Sequence, residues 1–130
     1  MNYLDYAATT PVNAEVLEVI TKEMASFGNP SSVYRIGREQ KQKIERVKKA
    51  ILSELQASPH DAIIFTSSGS EGNNLVFESI REHFAKEKGH IIVSAVEHPS
   101  VRKPAEFLEQ EGFDVTYLTP NKDGIVTVSE

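Results

Sequence analysis

Two short stretches hold the residue types from which a ligand site could be built. The first is Ser67-Ser68-Gly69-Ser70, between the apolar run Ile63-Ile64-Phe65-Thr66 and a helix-forming segment that opens at Glu71. A loop that passes straight from a strand into a helix exposes backbone N–H groups with no intrahelical partner. The helix dipole adds positive potential there, so the loop is a candidate anion site. Gly69 lets a phosphate approach the backbone closely, and Ser70 adds a hydroxyl donor. The same small residues also serve a plain strand-to-helix turn. The loop is neither a Walker loop nor a dinucleotide fingerprint, so nucleotides are less favoured. Glu71 stabilises a first helical turn but would repel a phosphate if turned inward, so its carboxylate is expected to point away.

The second stretch is Val96-Glu97-His98-Pro99, which follows the apolar run Ile91-Ile92-Val93-Ser94. In an open parallel sheet, ligands gather at the carboxyl ends of the strands, so His98 and the Ser70 loop are expected on one edge. An imidazole there can stack on a planar ligand or move a proton near neutral pH. The alternative is a capping or surface histidine. His60, His83 and His90 have no such placement. Arg35, Arg38, Lys41, Lys43, Arg46, Lys48 and Lys49 hold half of the 14 basic residues. They read as a patch for an acidic partner or as a solvated helix face, with Glu39 and Glu45 interleaved.

The elements that must position these groups follow from periodicity. Val16, Leu17, Ile20 and Met24 predict a helix over 14–25, with Asn13 as its N-cap. Phe27-Gly28-Asn29-Pro30-Ser31-Ser32 breaks it. Ile44, Val47, Ile51, Leu52 and Leu55 mark one face of a long helix over 35–57, ended by Ser58-Pro59-His60-Asp61. Ile63–Thr66 reads as a buried strand. A helix from Glu71 to Lys88 carries Phe77, Ile80 and Phe84, and Gly89 closes it. A strand at Ile91–Ser94, a helix over 99–111 stopped by Gly112, and a strand at Val115–Leu118 follow. Pro99 suits the first turn, and Pro104 requires the helix to start close by. Asn121-Lys122-Asp123-Gly124 is a turn, after which Ile125-Val126-Thr127-Val128 opens a further element. Strand–helix–strand–helix–strand implies a mostly parallel α/β sheet with crossover helices, preceded by two helices. The expected organisation is 1–57, an extended segment and two helices, then 58–130, the first strand-helix-strand-helix-strand part of a single incomplete domain.

The chain has 130 residues, a net charge of −5 and no cysteine. The acidic balance argues against a nucleic-acid partner, and no apolar run approaches the roughly 20 residues of a membrane span. Without cysteine there is neither a disulfide nor a thiolate zinc site, and no metal site is expected. The leading residues lack the basic and apolar regions of a signal peptide, so a cytoplasmic location is expected.

Taken together, the motifs resemble the NifS-like cysteine desulfurases of the class V aminotransferase family. The residues that carry the resemblance begin with Tyr3-Leu4-Asp5-Tyr6-Ala7-Ala8-Thr9-Thr10-Pro11 and Phe27-Gly28-Asn29-Pro30-Ser31-Ser32. They continue with Phe65-Thr66-Ser67-Ser68-Gly69-Ser70-Glu71-Gly72-Asn73-Asn74 and Glu97-His98-Pro99-Ser100-Val101. Last come Glu111-Gly112-Phe113-Asp114-Val115-Thr116-Tyr117-Leu118 and Asp123-Gly124-Ile125. Each motif alone is weak; in register along the whole chain they are specific.

The resemblance implies the large domain of the aspartate-aminotransferase-like fold, fold type I, and pyridoxal 5′-phosphate as cofactor. It implies that Gly69 and Ser70 bind the cofactor phosphate, and that His98 stacks on the pyridine ring and takes part in proton transfer. It also implies L-cysteine as substrate, giving alanine and an enzyme persulfide, a sulfur-acceptor protein and a homodimer. Other class V members, such as selenocysteine lyases and aminotransferases, fit the same motifs, and a non-catalytic phosphate-binding or interaction module is a further alternative. The family usually shows Ser-Gly-Ala-Thr-Glu or Ser-Gly-Gly-Thr-Glu in the phosphate loop; here Ser68 replaces a glycine and Ser70 the threonine. The family's Schiff-base lysine lies in a Ser-Gly-His-Lys motif that this chain lacks, and its catalytic cysteine is absent too. The expectation is an N-terminal fragment, inactive alone, with weak or absent cofactor binding and a tendency to self-associate through uncovered apolar faces.

Overall fold

The computed structural model describes residues 2–58 and 60–127. Its elements are α1 (Ala14–Met24), α2 (Arg35–Glu54), α3 (Gly69–His83), β1 (His90–Ser94), α4 (Pro99–Gln110) and β2 (Asp114–Leu118). They fall into two compact units, Met1–Ile63 and Ile64–Glu130.

In the first unit, Asn13 caps α1 as expected, its side chain accepting from the Glu15 amide at 2.8 Å. The Phe27–Ser32 break is a tight loop laid on the start of α2. Gly28 has φ +150°, and a Cβ there would lie 2.7 Å from Ile36 Cγ2. Gly37 is the one buried residue of α2, and a Cβ on it would meet Ser32 Cβ at 2.8 Å and the Asn29 carbonyl. Glycine at these two positions is what lets loop and helix touch. Lys43 Nζ bonds Glu23 Oε2 at 2.7 Å, and Gln40 Nε2 donates to Ser26 Oγ at 2.9 Å, tying the end of α1 to α2. Helix α2 ends at Glu54 rather than 57: Gln56 adopts φ 50°, and the Ala57 amide turns back to the Leu52 carbonyl at 2.9 Å. That is a Schellman closure built without glycine. The apolar stripes are present but open, with Val16, Leu17, Ile20, Met24, Val47 and Leu55 all exposed.

The second unit holds a parallel pair, β1 on β2, in register from His90 opposite Asp114 to Ser94 opposite Leu118. Ile91, Val93 and Val115 face a small core of Phe77, Ala105, Leu108 and Phe113, while Ile92 faces outward. This is the period-2 alternation of a sheet covered on one side only. Gly112 at φ +94° ends α4, with the Gly112 amide on the Glu109 carbonyl and the Phe113 amide on the Leu108 carbonyl, both 3.0 Å. The same turn drops Phe113 onto Leu108 in the core.

Three further expectations are corrected. Ile63–Thr66 is extended but joins no ladder, and Ile64 and Phe65 are exposed. A strand needs a partner edge, and among the described residues β1 and β2 pair only with each other. Helix α3 ends at His83, not Lys88, because Phe84 caps it and Lys88 takes φ 46° with its amide on the Phe84 carbonyl at 2.9 Å. Pro104 lies beyond the first turn of α4, so the Ser100 carbonyl loses the amide it would otherwise receive. The turn at Asn121–Gly124 forms, with Asn121 Oδ1 accepting from Asp123 and Ile125. Of the element expected to follow it, Val128 lies outside the described residues, as does Pro59.

Candidate functional site

Helix α3 begins in a variant of the capping box, in which Glu71 reaches back one residue past the N-cap Ser68 to Ser67. Ser68 Oγ accepts from the Glu71 amide at 3.2 Å, while Glu71 Oε2 accepts from both the Ser67 amide and Ser67 Oγ at 2.6 Å. Hydrogen bonds from the Ser67 hydroxyl, and then from its amide, hold the Glu71 carboxyl below the usual range. The carboxylate expected to point away is thus turned back onto Ser67, using that amide. Ser68 sits at φ −161°, extended backbone open to any residue, so serine in place of the family's glycine brings no strain.

The next two amides, of Gly69 and Ser70, are the first of the helix, and among the described residues neither has an acceptor. A Cβ built on Gly69 meets nothing within 4 Å. Neither φ nor packing within the chain demands glycine there, and the space where a Cβ would stand is open. Two unpartnered amides, the dipole of a 15-residue helix and the Ser70 hydroxyl make a donor set suited to a phosphate dianion.

His98 stands just past the carboxyl end of β1, as the N-cap of α4 with Pro99 at the first helical position. Its Nδ1 accepts from the Ser100 amide at 3.1 Å and lies 2.8 Å from Ser100 Oγ. The capping role and an open ring therefore coexist, since the His98 side chain remains exposed. Helices α3 and α4 run side by side in the same direction. Asn73 Nδ2 donates to Ser100 Oγ at 2.9 Å near their starts, and Arg81 Nη1 lies 3.6 Å from Glu111 Oε1 near their ends. Both N-termini therefore open on one edge, and Gly69, Ser70 and His98 share it.

Asn73 and Ser100 escaped the sequence reading as site residues. The available signal was His98-Pro99-Ser100: a side-chain acceptor at an N-cap seeks the amide two or three residues on. Two of the other three histidines do other work: His90 Nε2 lies 2.8 Å from Thr116 Oγ1, and His83 meets the Phe84 ring edge-on at 4.6 Å. The basic run on α2 is laced by ion pairs, Arg35–Glu39 at 3.4 Å and Lys48–Glu45 at 4.0 Å among them, as on a solvated face.

The family model for class-V aminotransferases matches residues 2–130. A cysteine desulfurase IscS of Dictyoglomus turgidum is 43% identical over 125 residues, covering 95% of this chain and 32% of that protein. The mitochondrial cysteine desulfurase of Eremothecium gossypii is 38% identical over 130 residues, covering 98% of this chain and 26% of that protein. Among solved structures, SspA in complex with cysteine superposes with a TM-score of 0.89 at 39% identity, over 99% of this chain and 37% of that one. The chain belongs to the class-V aminotransferase family. Its relatives are cysteine desulfurases, pyridoxal-phosphate enzymes of fold type I, and it spans about a third of the length of the first of them, 32%. Among the described residues no helix is long and apolar enough to cross a membrane.

Proposed function

We propose that this chain supplies the phosphate-holding edge of a pyridoxal-phosphate-dependent cysteine desulfurase. The observation that carries the reading is the free amides of Gly69 and Ser70 and the His98 ring on one edge, joined through Asn73 and Ser100. Gly69 and Ser70 donate their N–H groups, and Ser70 its hydroxyl, to the cofactor phosphate. The His98 ring covers the planar part of the same ligand and holds or moves a proton at its exposed Nε2. When bound, the cofactor supplies an electron sink for the amino-acid substrate. The whole enzyme takes sulfur from L-cysteine, leaves alanine and passes the sulfur to an acceptor protein.

The 130 residues have no cysteine to carry sulfur and no Ser-Gly-His-Lys motif to anchor the cofactor, so alone they turn over no cysteine. The exposed apolar stripes of α1 and α2 support association with a second copy or with further parts of the enzyme.

The test is amide NMR on the 130-residue chain with pyridoxal phosphate, then inorganic phosphate, at roughly millimolar concentration. Saturable shifts at Gly69 and Ser70 with both ligands are expected, weakened in Ser70→Ala. No response at those amides overturns the site. Borohydride treatment that traps the cofactor stoichiometrically on one lysine overturns the inactivity of the chain alone.

A further inference from the structure

The Asn73–Ser100–His98 contacts form a directed chain of hydrogen bonds. The Ser100 backbone N–H can only donate, so His98 Nδ1, 3.1 Å away, must present its lone pair. The Asn73 amide NH2 likewise only donates, so Ser100 Oγ receives at 2.9 Å from that side. Among the described residues the acceptor on the other side of the Ser100 hydroxyl is His98 Nδ1 at 2.8 Å, so the hydroxyl proton and the Ser100 amide share its one lone pair. Every donor in the chain points toward Nδ1, and the ring proton of the neutral imidazole is forced onto Nε2.

From this direction of donation we infer that Asn73 and Ser100 are positioning residues for His98. They fix its tautomer as Nε2–H and hold its ring plane against the edge where Gly69 and Ser70 open. The consequence for the site rests on the proposed cofactor reading; the tautomer itself does not. Asn73 belongs to the helix whose first two amides would hold the phosphate, and Ser100 to the helix that His98 caps. The relay therefore sets the imidazole relative to the phosphate cradle through three side chains rather than through the loop backbone. A capping histidine without the Asn73 arm would keep its bond to the Ser100 amide yet leave the hydroxyl rotor free.

The experiment is long-range nitrogen–proton NMR of the histidine rings in the 130-residue chain without cofactor. The internal standard is His60, whose ring has no partner among the described residues. The expected result is a proton on His98 Nε2 and an Nδ1 resonance displaced from that of His60 in the direction of an accepted hydrogen bond. Ser100→Ala should reduce that displacement to the part owed to the Ser100 amide, Ser100→Thr should restore it, and Asn73→Ala should reduce it while leaving residues 98–100 untouched. A wild-type Nδ1 resonance equal to that of His60, or a proton on Nδ1, overturns the relay. An Nδ1 resonance unmoved in both Asn73→Ala and Ser100→Ala also overturns it.

A second arm adds pyridoxal phosphate and reads ring-current shifts of its pyridine proton at matched saturation. These should shrink in Ser100→Ala and recover in Ser100→Thr. Loop amides that respond while the ring-current shift is unchanged overturn the positioning role. Loop amides that do not respond overturn the cofactor reading and leave the tautomer result standing.

Discussion

Replacing His98 separates two jobs that the structure gives one side chain. Its Nδ1 caps the 12-residue helix α4 through the Ser100 amide, and its exposed ring faces the edge shared with Gly69 and Ser70. His98→Ala removes both. Losing an N-cap acceptor costs about 1 kcal/mol, which is about a fivefold change in the folded-to-unfolded ratio. Asparagine ranks among the best N-caps, so His98→Asn should retain the cap to within a few tenths of a kcal/mol while deleting the ring. Native-state amide exchange at β1, whose core-facing Ile91 and Val93 rest on the unit that α4 completes, reads the first effect. About fivefold faster exchange is expected in His98→Ala and near wild-type exchange in His98→Asn. Titration with pyridoxal phosphate reads the second. An aromatic contact of about 0.5–1.5 kcal/mol corresponds to roughly two- to tenfold weaker binding in both variants. Inorganic phosphate has no ring to cover, so its binding should change only slightly. Wild-type exchange in His98→Ala would show that the cap contributes nothing. Wild-type cofactor affinity in His98→Asn would show that the ring never meets the ligand, and the site as described would be wrong.

Two further outcomes follow from the same geometry. Leu108 is 1% exposed in a four-residue core, so Leu108→Ala should cost about 2–5 kcal/mol, enough to unfold the second unit under mild conditions. A urea midpoint shift worth under 1 kcal/mol would contradict that packing. The Ser67 hydroxyl and amide hold the Glu71 carboxyl below the ordinary carboxylate range in the folded chain. Its contribution is therefore present above the ordinary carboxyl range and fades as pH falls through the lower folded value. Melting followed from neutral to acid pH should show a smaller acid loss in Glu71→Gln than in wild type; parallel curves would remove the capping box from the account.

What the residues determine locally was legible in the chain itself. Asn13 had to cap α1 and Gly112 had to end α4, because each is chemistry between residues at most five apart, whereas α3 opens at Gly69 under the Ser68 cap and not at Glu71 as the periodicity suggested. Register of motifs along the chain likewise carried the family. Where no glycine marked a helix end, as at Gln56 and Phe84, the boundary was misread, since the backbone closed with residues that do not advertise it. Ile63–Thr66 has the composition of a strand, but pairing is a property of two edges, and composition alone does not supply the second. The approach of Asn73 to Ser100, 27 positions along the chain, exists only because α3 and α4 pack in the same direction over the β1–β2 pair. That packing, and nothing in either motif alone, brings the imidazole of His98 and the open amides of Gly69 and Ser70 to one edge.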